Sequence, residues 1–364
     1  MALIVEGSKI PPRWLECKPF ARLVSPSQHD PNSECLRIAL INNMPDAALE
    51  DTEVQFFDLL DSASGELPVV IKLFSLPHIP RSDRGIRHLN SCYFELNDFW
   101  NSRFDALIMT GTEPKCADLR REPYWAELTE VLDWAEANTN STILSCLAAH
   151  AGVLHSHGIE RHLQPDKRFG VFEFTKLEPH HLTAFEGRQV RFPHSRWNEV
   201  RMDALTQCGY QLLTGSSEAG ADLFVKQKKR SLFVHFQGHP EYSAETLFKE
   251  YRRDIRRFLN GERETYPSLP NGYFDKVSAQ LLMSFQQSVE SEPRVESMER
   301  FPEAAVVGGL RKTWGSSATA IYANWFSYLL SGRQNATRSR VRDVATGNIH
   351  REPVEASLLR PALG

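Results

Sequence analysis

The chain of 364 residues holds no uninterrupted apolar run of about 18, the length a bilayer-spanning helix needs. Met1 to Phe20 mixes charge and proline with apolar residues and lacks the apolar stretch of a secretory signal. Cysteine is sparse and scattered. Cys17, Cys35, Cys92, Cys116, Cys146 and Cys208 contain no CxxC pair, so no disulfide framework is indicated and a reducing cytoplasm is the simplest location. There is no excess of positive charge. Lys and Arg number 42 against 46 Asp and Glu, a net charge of −4, which removes the basic field that nucleic acid or an anionic membrane would attract. No glycine-rich phosphate loop, internal repeat or low-complexity tract occurs. His155, His157, His180 and His181 lack metal-ligand spacing and are assigned to solvent or packing, so no metal is expected.

What the chain does contain is the makings of a large core. Apolar residues are 41% and charged residues 24%, and the length suits two domains or one large α/β domain with extensions. Residues 1–34 are largely polar and broken by Pro11-Pro12, and are read as an N-terminal extension. From residue 35 strands and helices alternate. Leu36–Ile41, Pro68–Phe74, Asp105–Met109 and Ser141–Ser145 read as buried strands. Glu50–Asp61, a segment from Trp125 to Ala135, and Cys146–His157 read as helices between or after them. That alternation predicts an α/β fold with a mostly parallel sheet covered on both faces. Gly170–Phe174, Asp222–Val225 and Ser231–Phe236 read as shorter strands, and Ser243–Leu259 and Ala318–Leu330 as helices. Residues 260–312 give no clear pattern. Residues 35–330 are taken as the domain and 331–364 as a flexible tail.

The chemistry concentrates at two points. In Leu144-Ser-Cys146-Leu-Ala-Ala-His150 a strand ends, a turn holds a cysteine and a helix begins. A nucleophile at such an elbow points out of the top of the sheet. The helix start favours thiolate and leaves the Leu147 N–H free for an oxyanion. Taken alone, a lone cysteine in a β-α unit is most often a buried structural one. In Gln237-Gly-His239-Pro-Glu241 a histidine and a carboxylate two residues apart follow an apolar strand and face the same side. His239 can then act as base, with Glu241 fixing its tautomer. A loop histidine closing a strand is the alternative. Lys226–Arg230 is read as a solvated hairpin turn, with CoA phosphates as the alternative partner.

Strand–Cys146–helix followed by Gly-His239-Pro-Glu241 resembles class I glutamine amidotransferases, whose core is flavodoxin-like. The ordered set Ile41-Asn-Asn-Met-Pro45, Asp105–Gly111, Pro123-Tyr-Trp125, Gly170–Glu173, Pro193-His-Ser-Arg196, Gly238–Tyr242, Glu250–Asp254 and Asn324-Trp325 is similar, more specifically, to homoserine O-succinyltransferases. That resemblance implies ping-pong transfer from an acyl-CoA co-substrate, through an acyl-cysteine, to the hydroxyl of L-homoserine in methionine or related sulfur amino-acid biosynthesis. No bound cofactor is implied. The partners are small molecules, without nucleic acid or membrane, and a homodimer is one possible assembly. The resemblance assigns Cys146, His239 and Glu241 as the triad. Backbone N–H groups of Leu147 and of the Gly111-Thr112 turn become the oxyanion donors, and Arg253 the substrate arginine. Ser195 and Arg196 are placed near the pocket without a role.

Some positions depart from the family. Asp46, Ala47 and Ala48 follow Pro45 where lysines are usual, and Leu147 and His150 stand where Trp and Gln are frequent. At the position related to donor choice, ungapped spacing puts Lys115, with Glu113 nearby. A lysine there would meet the terminal carboxylate of a succinyl group, so succinyl-CoA is favoured over acetyl-CoA. Serine O-acyltransfer, glutamine amidotransfer or γ-glutamyl hydrolysis by the same triad, and a non-catalytic module are the competing readings.

Overall fold

The computed structural model describes residues 3–7, 11, 14, 22–24 and 35–345, with the backbone alone at 22–24 and 334–345. Its centre is a nine-stranded sheet in the order β2-β1-β4-β3-β5-β6-β13-β12-β9. The strands are β1 (Leu3–Glu6), β2 (Arg22–Val24), β3 (Leu36–Ile41), β4 (Val69–Phe74), β5 (Ala106–Met109), β6 (Ser141–Ser145), β9 (Gln211–Leu212), β12 (Leu223–Lys228) and β13 (Ser231–Phe236). From β2 to β13 all neighbours are parallel, and β12 and β9 close one edge antiparallel. The expected α/β class is what the chain adopts.

Side-chain alternation explains the layering. In β3, Ile38 and Leu40 enter one apolar cluster while Ala39 and Ile41 enter another. In β5, Ala106 and Ile108 divide from Leu107 and Met109 in the same way. A strand whose successive residues all find apolar partners reads as a continuous hydrophobic run, which is why these strands are legible in the sequence. Helices fill both faces. Asp46–Ser64 and the late helix Gly315–Ala345 pack together on one. Trp125–Asn138 and Leu147–His157 lie on the other, among the second cluster.

A second, antiparallel sheet in the order β11-β10-β7-β8 projects from the first. It comprises β7 (His162–Lys176), β8 (Gln189–Glu199), β10 (Thr214–Ser216) and β11 (Gly220–Ala221). The short strand expected at Gly170–Phe174 is thus the inner third of a long one. Only residues 169–172 and 174 of β7 are buried, and its outer half is largely exposed and polar, so no apolar signal announces it.

Three further segments go beyond what the sequence reading gave. Residues 1–34 are not wholly outside the domain: β1 pairs with β4 from Leu3↔Val69 to Glu6↔Lys72, and Trp14 Nε1 donates to Glu53 Oε2 at 2.7 Å. Leu3 and Val5 are buried, but a four-residue alternation is too short to stand out in a polar stretch. The unassigned 260–312 stretch holds a helix, Lys276–Val289, capped by the Asp275 carboxylate on Ser278 N–H. Finally, the helix expected at Ala318–Leu330 continues to Ala345, so the first part of the supposed tail is helical. The remainder, 346–364, lies outside the described residues. Among the described residues no helix is long and apolar enough to cross a membrane.

Candidate active site

The C-terminal ends of β3, β5, β6 and β13 meet at one edge of the parallel sheet, where loops can converge on a ligand. After β6 the chain reverses sharply. Cys146 takes φ +53° and ψ −113°, one of three non-glycine residues with positive φ among those described. Such a backbone costs about 1–3 kcal/mol and persists only where its surroundings enforce it. Here the Cys146 N–H is held by Phe236 O of β13 at 2.7 Å, and the helix Leu147–His157 starts at the next residue. The thiol is partly exposed, whereas Ser145 and Ala148 beside it are buried.

β13 delivers the candidate base, His239. Gln237 through Glu241 are all buried, and each bond around His239 is built. Gln237 N–H donates to Asp222 O, Gly238 N–H to Asp222 Oδ1 at 2.7 Å, and His239 N–H to Pro193 O at 2.9 Å. A Cβ on Gly238 would stand 2.6 Å from His194 Nε2 and 2.8 Å from Asp222 Oδ1, so only glycine admits this approach. His239 Nδ1 lies 2.8 Å from Glu241 Oε1, and the Cys146 side chain is within electrostatic reach of the same imidazole. With Nδ1 on the carboxylate, Nε2 is the nitrogen left for the sulfur. Burial disfavours the charged ring, but the Cys146 and Glu241 charges outweigh it and hold the His239 pKa well above its ordinary value. The Tyr242 ring stacks on the imidazole at 4.2 Å.

The oxyanion candidates are adjacent. Asn43 N–H donates to Thr110 Oγ1 at 2.8 Å and its Oδ1 accepts from Leu76 N–H, which pins the turn after β3 to the segments that follow β5 and β4. Gly111 then comes so close to the elbow that an added Cβ would be 2.8 Å from Leu147 N. Gly111, Thr112 and Leu147 line one cleft with Tyr124, Trp125 and Leu128.

The remaining expected residues fall at different distances from the sulfur. Arg196 is buried, donating to His194 Nδ1 (3.1 Å), Asn198 O (2.8 Å) and Ala219 O (2.6 Å), within electrostatic reach of Cys146. Ser195 Oγ donates to Glu250 Oε2, and Glu250 Oε1 accepts from Tyr242 OH at 2.9 Å, linking Ser195 to the imidazole's stacking partner. Arg253 has a half-exposed side chain and already places Nε and Nη2 on Asp254 Oδ1, with Glu113 in electrostatic reach. Lys115 is exposed and makes no hydrogen bond or ion pair among the described residues. Lys226–Arg230 forms the β12–β13 hairpin turn at the opposite end of β13 from His239, where Lys228 and Lys229 pair with Glu136.

Sequence patterns gave no role to Asp222, Tyr242 or Glu250, although the last two fall inside the quoted motifs. They touch the site through the residues beside them, and no spacing in the chain signals a contact between Ser195 and Glu250. His150, standing where the family often has Gln, is buried and bonds Gln237 Oε1 at 2.9 Å. It thereby ties the nucleophile-bearing turn's helix to the residue that precedes Gly238 and His239. Among the described residues no three His, Cys, Asp or Glu side chains gather as metal ligands.

The sequence model of the homoserine O-succinyltransferase family matches residues 20–336. A homoserine O-succinyltransferase of Rhodopseudomonas palustris is 45% identical over 296 residues, covering 81% of this chain and 89% of that protein. One from Methylorubrum extorquens is 40% identical over 304 residues, covering 84% and 90%. Among solved structures, a glutamine amido transferase from Methylobacillus flagellatus is similar at a TM-score of 0.45 and 14% identity, covering 81% of this chain and 95% of that one.

Proposed function

This chain belongs to the homoserine O-succinyltransferase family of acyltransferases, and on that premise we propose that it carries succinyl from succinyl-CoA to the hydroxyl of L-homoserine through an acyl-cysteine on Cys146. The observation that carries the reading is the shared imidazole. His239 is bonded to Glu241 on one side and lies within electrostatic reach of the Cys146 thiol, at an elbow whose next N–H is Leu147.

In the first half-reaction the sulfur, its proton passed to His239, attacks the thioester carbonyl. The oxyanion is met by the N–H groups of Leu147 and the Gly111-Thr112 turn. CoA leaves as its thiol, taking the proton back from His239. In the second half, His239 removes the homoserine hydroxyl proton as that oxygen attacks the acyl-cysteine, and the collapsing intermediate releases ester and restores the thiol. Glu241 holds one tautomer throughout. Arg253 and Ser195 are the candidates for orienting the amino acid. The product suits a step in methionine or related sulfur amino-acid synthesis, and a catalytic free thiol suits a reducing cytoplasm.

Incubating the protein with succinyl-CoA and no acceptor should leave one succinyl group on Cys146 by intact mass and peptide mapping. Adding homoserine, but not serine or glutamine, should discharge it. No adduct from any acyl-CoA, or an adduct that survives in Cys146→Ala, would overturn the mechanism.

A further inference from the structure

The turn that sets Gly111 against the nucleophile elbow is held from behind by a buried polar chain. Thr110 precedes Gly111, and each of its polar groups is engaged. Its N–H donates to Ile41 O at 3.0 Å, its carbonyl accepts from Asn43 Nδ2 at 3.3 Å, and its hydroxyl accepts from Asn43 N–H at 2.8 Å. The hydroxyl proton has Gly111 O at 3.1 Å and Asn42 Oδ1 at 3.4 Å as acceptors. Asn42 is fully buried and uses both ends of its amide. Nδ2 donates to Leu49 O at 3.1 Å and to Tyr93 OH at 3.0 Å, while Oδ1 accepts from Met44 N–H at 3.2 Å. Behind Asn42, the Tyr93 hydroxyl donates to Glu53 Oε1 at 2.6 Å. Glu53 is buried on the helix Asp46–Ser64, and it also takes His88 Nε2 at 2.7 Å and the Trp14 N–H at 2.7 Å.

The carboxylate sets the direction of every bond in this chain. An ionised carboxylate only accepts, so the single Tyr93 proton goes to Glu53. Burial, reinforced by the Glu53 charge, holds that phenol well above its ordinary pKa, so the proton stays. The hydroxyl oxygen is then left to accept from Asn42, which fixes Nδ2 toward Tyr93 and Oδ1 toward Met44 and Thr110. A rotated amide would set its NH2 against the Met44 N–H and leave both donors unmet. We propose that Asn42 is a positioning residue for acyl transfer, its amide oriented by Tyr93 and Glu53 so that the Thr110–Thr112 turn aims its N–H at the oxyanion. Asn42 itself touches no substrate. An oxyanion donor is effective when it is aimed before the charge develops, and a satisfied buried chain supplies that fixity. This role rests on the acyl-cysteine reading above and on the close approach of Gly111 to Leu147 N.

Two reactions of the same sulfur separate positioning from a merely structural role. With succinyl-CoA, sulfur bonds to the thioester carbonyl carbon, an oxyanion forms and collapses, and CoA leaves with the proton. With iodoacetamide, sulfur displaces iodide from a methylene carbon, the thiol proton passes to water, and no oxyanion forms. Both rates are measured on the full chain without acceptor, CoA release by stopped flow and Cys146 alkylation by peptide mass. The proteins are the wild type, Tyr93→Phe, Asn42→Ala and the double variant. Tyr93→Phe should slow CoA release by about three- to tenfold, the effect of one lost hydrogen bond. Asn42→Ala should slow it by about tenfold or more, up to the roughly hundredfold loss of an oxyanion donor. Cys146 alkylation should stay within about twofold in both, because the sulfur keeps its own surroundings. Adding Tyr93→Phe to Asn42→Ala should change CoA release by less than about twofold, since its effect passes through Asn42. Equal losses in the two reactions, undiminished CoA release, or an additive double variant would overturn the inference. If Asn42→Ala does not fold, the two rates in Tyr93→Phe decide alone. A wild type that is alkylated at Cys146 but acylated by no acyl-CoA would overturn the acyl-cysteine reading first and this inference with it.

Discussion

At Cys146 the backbone carries strain that its side chain alone would never need. A structural cysteine at the start of a helix has no reason to sit at φ +53°, and the strain is maintained by the Phe236 carbonyl on one side and Gly111 on the other. Gly111 has an ordinary φ, so its requirement is spatial: a methyl there would lie 2.8 Å from both Leu147 N and Leu147 Cβ. Gly111→Ala should therefore push the Thr110–Thr112 turn away from the elbow and spoil the paired oxyanion donors. The expected loss is about a hundredfold in kcat, the usual effect of removing one such donor, with thermal stability lowered only modestly. Stopped-flow release of CoA in the absence of acceptor measures this directly. Full-rate acylation in Gly111→Ala would remove the turn from the mechanism.

Among the elements, β7 depends on a segment far along the chain. Gly170 has φ +141°, and Asn271 runs beside it, accepting from Val171 N–H at 2.7 Å and donating to Phe169 O at 2.9 Å. A Cβ on Gly170 would be 2.3 Å from Asn271 N and O. Gly170→Ala should cost about 3 kcal/mol, from strained backbone plus the broken pairing. Gly158 is the control. It closes the nucleophile helix at φ +65° with nothing near its Cβ position, so Gly158→Ala should cost only about 1 kcal/mol. Urea midpoints compare the two, and equal losses would mean that the Asn271 contact contributes nothing. The same strand pairs Arg168 with Arg196 and Phe169 with Ser195, so its register reaches the site.

For the molecule as a whole, acid sensitivity follows from three buried histidines. Burial holds His150 at about 3, His235 at about 3 and His194 at about 4, the last against the opposing pull of Asp222. All three lie below the ordinary value of about 6.5 that an unfolded chain would show. Their stabilisation is therefore complete above that value. It is lost as pH falls, because the unfolded chain takes up protons that the folded one refuses. Each contributes a slope of about 1.4 kcal/mol per pH unit, so the three together give up to about 4. His239 behaves oppositely. Its raised pKa gives stability that is fully present below about 6.5 and lost as pH rises through the folded value, so it does not offset the acid loss. Urea midpoints should fall steeply between about pH 6 and pH 4.5. His235→Phe, which keeps a ring against Phe224 at 4.7 Å, should flatten the slope by about one proton. A flat profile in the wild type would refute these assignments.

The strands β3, β4, β5, β6 and β13, the helix after Cys146 and the His-Pro-Glu turn could all be read from residues alone. Each is local: an apolar run buried on both faces, or a short motif whose members are within a few positions of one another. Tertiary structure decided the rest, because the deciding contacts join residues far apart in the chain. Ser195 meets Glu250, Gly238 meets Asp222, and Gly170 meets Asn271. β1 is too short to show its alternation, and the outer half of β7 is too polar, until a partner strand supplies the hydrogen bonds. Periodicity records which face of an element is buried, but which charges remain unpaired is set only once the loops have closed around them.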